Sequence, residues 1–304
     1  MHRASPSVKE RTSIAALAAL GLFGAACGQL VSRQPTLSTP SVGIPSAASS
    51  PALLTNTLPP TGRPTVPPAT SAPLPTIEPG ALDSFLLTLI NDDACRLPCW
   101  WNISVGTTTW QEAQQLFQRV GSTIQPGTAN RPGRETFYVQ FPLPGSIAPS
   151  GARFSVMEGI VDSVFIGSNA TASRFRLNQV LVEYGAPDSI LVRTFTSAPE
   201  PYLPFTLVLV YQQRRFLATY EFEAQVSGTN VVGCPERVSP TIHIRSSSDP
   251  WSEEEIQTEV LGQEPSTLLR PIGQVTALDV PTFVTLFHQE DSGACIQTPA
   301  SDWQ

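Results

Sequence analysis

The folded part of this chain, after residue 80, contains no lysine. It has 13 arginines and 23 acidic residues, an excess of ten negative charges, and the arginines form no basic cluster. Nucleic acids and anionic lipid surfaces are recognised through concentrated positive charge. We therefore expect no nucleic-acid partner and no electrostatic docking on lipid headgroups.

Short catalytic motifs are also lacking. The sequence has no Gly-x-Ser-x-Gly, no His-Glu-x-x-His and no glycine-rich phosphate loop. The adjacent acids Asp92 and Asp93 are expected to cap or decorate the end of a helix. Any active site would have to be assembled from residues far apart in sequence, such as a pair of glycosidase carboxylates. We expect no catalysis and no cofactor.

Histidine is scarce, which limits metal chemistry. Only His243 and His288 follow the first few residues, and both lie in patterns typical of structural histidines. Cys95 and Cys99 have the spacing Cys-x-x-x-Cys after a predicted helix, whereas a thioredoxin-like centre uses Cys-x-x-Cys at a helix N-terminus. A metal or redox site at these two cysteines remains a secondary alternative.

The N-terminus resembles an export signal. Residues 1–11 are basic, and Thr12–Ala26 is an uncharged apolar run of fifteen residues. A helix of that length is too short for the hydrocarbon core of a bilayer. The sequence Gly24-Ala25-Ala26-Cys27 resembles the lipobox of bacterial lipoproteins, which implies a signal peptide at 1–26 and acylation of Cys27. Ordinary signal-peptidase cleavage after Ala26 is the alternative.

Residues 27–80 have the composition of a disordered tether. From Gly28 to Gly80, 12 of 53 residues are proline and 15 are serine or threonine, and only three are charged. The apolar residues follow neither a helical nor a strand period, so no core can form. The segment is expected to hold a folded domain away from a lipid surface.

The rest of the chain predicts an α+β fold built from two helix-plus-antiparallel-sheet units in tandem. The first unit, 81–168, contains a helix at Ala81–Asn91, a helix capped by Thr109 and Glu112 and ended by Gly121, a strand at 136–141, and a hairpin at 153–167 that turns at Glu158-Gly159. The second unit, 169–230, contains a helix capped by Ser173 and ended by Gly185, a strand from residue 186, and a hairpin at 205–224. The recurring order suggests an internal duplication.

Residues 231–304 predict an acidic helical extension. Ten acids lie from Asp249 onward, and Arg270 is the only base there. One helix is expected at 252–261, with Ser252 and Glu255 as its capping box, and another at 278–287, with Asp279 as its cap. No calcium-loop spacing is present in this region.

Several stretches resemble known bacterial families. The segment "CRLPCWWNISVGTTTWQEA" (95–113) resembles the motif of an uncharacterised family of bacterial lipoproteins, with Asn102 and Val105 in place of the family's glycine and proline. Cys234-Pro235, Cys295 and Trp303 fit the later part of that pattern. Residues 106–121 and 180–190 resemble small envelope lipoproteins of the SmpA/OmlA kind and the tandem β-lactamase-inhibitor-protein fold. The resemblance implies an envelope location and helices packed on one face of an antiparallel sheet.

Four cysteines remain after Cys27, and disulfides are the default state in an exported chain. Four cysteines allow three connectivities. We favour Cys95–Cys99, where a turn around Pro98 can bring the two residues together, and Cys234–Cys295.

Strand alternation predicts an exposed sheet face that contacts a partner. The polar side of the strands carries Tyr138, Gln140, Arg153, Thr219 and Glu221. We expect this face to bind an envelope protein or a glycan; the alternative is a face that is only solvated, as in many antiparallel sheets. The chain as a whole is expected to be a lipid-anchored, extracytoplasmic binding or scaffold protein of a bacterial cell envelope. The alternative is an extracytoplasmic enzyme, or a receptor for a small ligand or metal. A convergent pocket of ionisable groups would favour that alternative, and a smooth sheet face would favour the scaffold.

Overall fold

The structure, a computed structural model, describes nine segments of the chain. They are residues 76–128, 132–146, 148–171, 173–195, 203–235, 237–247, 249–262, 268–289 and 292–303. All of them belong to Pro68–Gln304, the second of two units into which the chain divides. The predicted signal peptide, Cys27 and the tether up to residue 75 lie outside the described residues.

Seven α-helices occur in the described residues. They are α1 (Pro79–Ile90), α2 (Trp110–Arg119), α3 (Ser168–Thr171), α4 (Leu177–Tyr184), α5 (Glu253–Leu261), α6 (Ile272–Val275) and α7 (Val280–Phe287). Two of them begin with the predicted capping box, in which the N-cap hydroxyl accepts from the N3 amide and the N3 glutamate accepts from the N-cap amide. These helices are α2, with Thr109 and Glu112, and α5, with Ser252 and Glu255.

Thirteen strands occur in the same residues, and the first two form a small separate hairpin. The strands are β1 (Cys99–Trp100), β2 (Ile103–Ser104), β3 (Thr123–Pro126), β4 (Arg134–Phe141), β5 (Ser150–Met157), β6 (Ile160–Ile166), β7 (Ser189–Thr194), β8 (Leu203–Tyr211), β9 (Phe216–Ser227), β10 (Asn230–Gly233), β11 (Thr241–Arg245), β12 (Arg270–Pro271) and β13 (Ile296–Pro299). The α+β class is therefore present, with strands predominating.

The other eleven strands form one antiparallel sheet. Its order is β12-β7-β8-β9-β11-β6-β5-β4-β3, and β10 and β13 extend it from the far end of β9. The strands of the first predicted unit (β3 to β6) and those of the second (β7 to β9) lie on opposite sides of β11. Strand β11 pairs with both β6 and β9 and so makes the sheet continuous.

One face of this sheet, here called the back face, carries the main hydrophobic core. Residues from α1, α2, α4, α6 and α7 pack there against alternate strand residues such as Val139, Phe154 and Ile242. Aromatic contacts join the layers: the Phe117 ring of α2 lies 5.1 Å from Phe154, and the Tyr184 ring of α4 lies 5.0 Å from Phe216. Burial of these side chains is the main source of stability.

The opposite face, here called the front face, is covered only in part. Helix α5 packs there through Ile256 onto a small second core. The sheet residues of that core are Leu191, Val208, Val210 and Leu217. Most strand residues on the β3 side of the front face are polar, Phe165 being an apolar exception, and they position the site described below.

Several details differ from the sequence predictions, and three of them follow. Helix α1 begins at Pro79, two residues before its predicted start. Helix α4 begins at Leu177 with Arg176 at its N-cap, after a 3-10 turn at Ser173–Phe175, so Ser173 is not its cap. The description of 231–304 as a helical extension was incomplete, because that region also supplies β11 at the centre of the sheet.

The stretch Cys95–Trp101 has a structural role, through a disulfide and two buried tryptophans. Cys95 is bonded to Cys99, and Cys234 to Cys295, which is the pairing expected from the sequence. Trp100 and Trp101 are buried in the main core, with ring centroids 4.7 Å apart. They therefore form no exposed aromatic platform.

Candidate ligand-binding cleft

A row of paired residues crosses the front face from β4 to β9. Tyr138 pairs with Arg153, Arg153 with Phe165, Phe165 with His243, and His243 with Leu217. Because facing residues of paired strands point the same way, these side chains share one face. The row runs from an exposed tyrosine at one side to the apolar patch under α5.

Helix α5 is tied to this row through Glu259. The guanidinium of Arg153 donates to Glu259 Oε1 at 3.0 Å, and His243 Nδ1 lies 3.0 Å from the same oxygen. The hydrogen bond with His243 is the largest influence on Glu259 and lowers its pKa, while burial opposes the change. Glu259 is therefore ionised near neutral pH and bridges the helix to two strands.

A β-bulge turns Asp162 toward the same region. Ser155 pairs with Ser163 and Val156 with Val161, which leaves Asp162 as the extra residue of β6. Its carboxylate binds the Arg134 guanidinium and accepts from the Ser246 hydroxyl at 2.6 Å. The bulge thus places a buried acid between Arg134, at the start of β4, and Ser246, directly after β11.

Arg245 and Trp251 form the wall below the start of α5. The guanidinium of Arg245 lies 3.8 Å from the centroid of the Trp251 ring and donates to Glu255 Oε2 at 3.2 Å. Gln212, in the β8–β9 turn, holds the backbone of Trp251 through two hydrogen bonds. The Trp251 amide donates to Gln212 Oε1, and Gln212 Nε2 donates to the Trp251 carbonyl oxygen. Glu255 also accepts from the Ser252 amide, the largest cause of its lowered pKa.

Together these groups enclose a cleft of about 550 Å³ between the front face and α5. Ten of its eleven lining residues are polar or charged, and Trp251 is the exception. The acids are Asp162, Asp249, Glu254, Glu255 and Glu259, the bases are Arg134 and Arg245, and the hydroxyl groups come from Ser163, Ser247 and Thr258. The volume lies in the range of small-ligand sites, which are usually more apolar.

The charges in the cleft are paired unevenly. Asp162, Glu255 and Glu259 each contact an arginine. Asp249 and Glu254 are exposed, and their carboxylates make no hydrogen bond or ion pair with the residues that the structure describes. Two uncompensated negative charges therefore lie at the rim.

The predicted partner residues divide between this region and another. Tyr138 and Gln140 are exposed, and Arg153 is half-buried under its contact with Glu259. Glu221 is exposed, but Thr219 is only 4% exposed, so its predicted exposure is wrong. These last two residues line a separate pocket of about 340 Å³ together with Val238 and Ser239, on the loop before β11. That loop approaches Thr219 only because β11 pairs with β9.

Most residues of the cleft were not singled out from the sequence, and Glu255 was named only as part of a capping box. Arg134, Asp162, Arg245, Trp251 and Glu259 are scattered over 126 positions and belong to no recognisable motif. The one available signal was the capping box directly after Trp251, which fixed the start of α5 but not the surface it covers.

Comparisons with protein-family models, with curated proteins and with solved structures find no match to this chain.

None of the helices in the described segments has both the length and the apolar character needed to cross a lipid bilayer. Two disulfides fit an extracytoplasmic protein, because thiols stay reduced in most cytosols. The cleft is therefore interpreted from its own chemistry.

Proposed function

We propose that this protein is a lipid-anchored, extracytoplasmic binding protein of a bacterial cell envelope, and that the front-face cleft is its binding site. The observation that carries the proposal is the convergence of seven charged side chains in one cleft. Convergent ionisable groups favour a receptor over a passive scaffold. The basic N-terminus and the lipobox-like residues ending at Cys27 support the anchor.

The ionised state of the carboxylates that line the cleft favours binding over catalysis. The two lining carboxylates with a shifted pKa, Glu255 and Glu259, both shift downward. A general acid working near neutral pH needs a carboxyl whose pKa is raised. The paired carboxylates instead act as fixed hydrogen-bond acceptors that hold the arginines in place.

The proposal includes a tandem origin for the sheet. A helix, a strand and a hairpin occur twice in this order, as α2 with β4 to β6 and as α4 with β7 to β9, and the first set has the additional short strand β3 between α2 and β4. The last strand of each set pairs with β11. This arrangement supports two units joined through β11.

The test fills the cleft without touching the core. Thr258 is exposed on the side of α5 that lines the cleft, so Thr258→Trp places a large side chain in the binding volume. We expect the full-length processed chain, immobilised in detergent, to retain ligands from fractionated envelope glycans or proteins. The Thr258→Trp variant should retain at least tenfold less of the same ligands, since an occupied cleft excludes them.

Thr285→Trp is the matched control, because Thr285 is exposed on α7, outside the cleft lining. It should bind as the unmodified chain does. Equal retention by both tryptophan variants and the unmodified chain would refute the cleft as the binding site.

A further inference from the structure

The lining of the cleft is suited to a ligand rich in hydroxyl groups. The carboxylates and guanidiniums are planar groups with several hydrogen-bonding directions, and most are held by partners on neighbouring elements. Three serine and threonine hydroxyls lie between them. Such fixed donors and acceptors match a polyol, because each ligand hydroxyl both donates and accepts.

The charge of the cleft excludes acidic ligands. Five acids and two arginines line it, and the arginines are already bound to Asp162 and Glu255. The free negative charge lies at Asp249 and Glu254, on the rim. Coulomb attraction there favours an ammonium group and repels a carboxylate or phosphate.

An aromatic ring lies beside the cleft in a fixed orientation. Tyr138 is 47% exposed, and its ring packs on Gly127, where an added Cβ would lie 2.6 Å from Tyr138 Cε2. Tyr138 pairs with Arg153, which contacts Glu259 in the cleft lining. One side of the ring thus packs on Gly127, and the backbone of Tyr138 lies one strand spacing, roughly 5 Å, from that of Arg153.

We propose that the cleft binds a short oligosaccharide that carries amino groups and no acidic groups. The sugar hydroxyls contact the charged lining, the ammonium lies between Asp249 and Glu254, and the next sugar ring packs on Tyr138. Aromatic rings pair well with the apolar face of a sugar, while the phenolic hydroxyl stays in water. This inference rests on the proposed function and names the ligand class of the same site.

A peptide ligand fits these observations less well. The main-chain groups of β5, β6 and β11 under the cleft are paired on both sides, so no strand edge is open to an added peptide. Trp251 is the only large apolar residue in the lining, and Arg245 stacks on its ring. Anchoring pockets for apolar peptide side chains are therefore lacking in the described lining.

The experiment measures binding of defined probes to the full-length processed chain in detergent by calorimetry. The probes are trimers of glucosamine, N-acetylglucosamine and galacturonic acid, with trilysine as a cation that is not a sugar. We expect affinity to fall in that order of sugars, by about three- to fivefold at each step, which corresponds to the upper part of the range for exposed charge pairs. Trilysine should bind more weakly than the glucosamine trimer.

Three variants separate the contributions. Asp249→Asn with Glu254→Gln should bring the glucosamine and N-acetylglucosamine trimers within about twofold of each other, because the free charges are gone. Tyr138→Ala should weaken both trimers about tenfold, and Tyr138→Phe should change them less than about threefold, since the ring is kept. Gly127→Ala, which displaces the ring, should act like Tyr138→Ala. Leu286→Ala, at an exposed position on α7, is the control.

Each outcome decides between the ligand class and the function. Trilysine binding as tightly as the glucosamine trimer, or tightest binding of galacturonic acid, overturns the oligosaccharide. Binding of an envelope protein that Thr258→Trp blocks, without binding of any sugar trimer, overturns the ligand class and leaves the proposed function intact. If Thr258→Trp reduces the binding of no sugar and no protein, both the ligand class and the proposed function are overturned.

Discussion

Replacing Cys234 and Cys295 by serine removes the bridge that closes the longest covalent loop in the described fold. Cys234 follows β10, Cys295 precedes β13, and the adjacent residues Gly233 and Ile296 pair in the ladder. The ladder keeps four residue pairs without the bridge, and Ile296 stays buried. Cys234 is exposed, so a serine there meets water. We expect the folded structure to survive.

The magnitude follows from the length of the loop. The two cysteines are 61 residues apart. On the chain-entropy treatment, a loop of that size raises the free energy of unfolding by about 4 kcal/mol, through restriction of the unfolded chain. With a urea dependence of about 3 kcal/mol/M for a domain of this size, the midpoint of unfolding should fall by about 1.3 M.

The assay is urea unfolding of the full-length chain, followed by tryptophan fluorescence. Gln297→Ala is the control, because Gln297 is exposed on β13 beside the bridge and its replacement keeps the disulfide. It should shift the unfolding free energy by less than about 0.5 kcal/mol. A shift of less than about 0.3 M for the double serine variant would contradict the loop-entropy reasoning.

Three further predictions concern the anchor, the core and the contact under α5. Cys27→Ser should move the protein from the detergent phase to the aqueous phase, or leave it unprocessed, in a host that processes lipoproteins; unchanged partition would refute acylation. Phe154→Ala, at a residue that is 0% exposed, should cost about 3–5 kcal/mol in urea unfolding, whereas Tyr138→Ala should cost under about 0.5 kcal/mol. Glu259→Gln should destabilise the fold most near neutral pH. Because the hydrogen bond with His243 lowers the pKa of Glu259, its contribution is full above the ordinary carboxyl pKa and is lost as the pH falls through the lowered value; a difference that stays constant from neutral pH to acid would contradict this.

Most predictions that rest on short local patterns are confirmed by the structure. The capping boxes at Thr109 and Ser252 and the turn at Glu158-Gly159 are present as predicted. Each depends on residues within about four positions, so few competing conformations exist. Two disulfides were also expected from the even number of cysteines after Cys27, and the pairing that was favoured among three connectivities is present.

Strand β11 shows why the rest was missed. Its five residues, Thr241–Arg245, lie between loops, and three of the five side chains are polar. Its place at the centre of the sheet depends on pairing with β6, about 80 positions earlier, and with β9. Such a strand is stabilised by non-local contacts, which leave little trace in its own sequence.

The sequence by itself determined the capping boxes at Thr109 and Ser252, the hairpins and the alternation that separates the two faces of each strand, because these follow from local geometry and composition. The choice among the three cysteine connectivities was made by the structure. Only the tertiary structure decided that β11 joins the two sets of strands, that the bulge turns Asp162 toward Arg134, and that Glu259 meets Arg153 and His243. The cleft depends on all three. Its residues are brought together by the order of the strands and by the packing of α5 on the front face. Both depend on the burial of apolar surface across the whole domain.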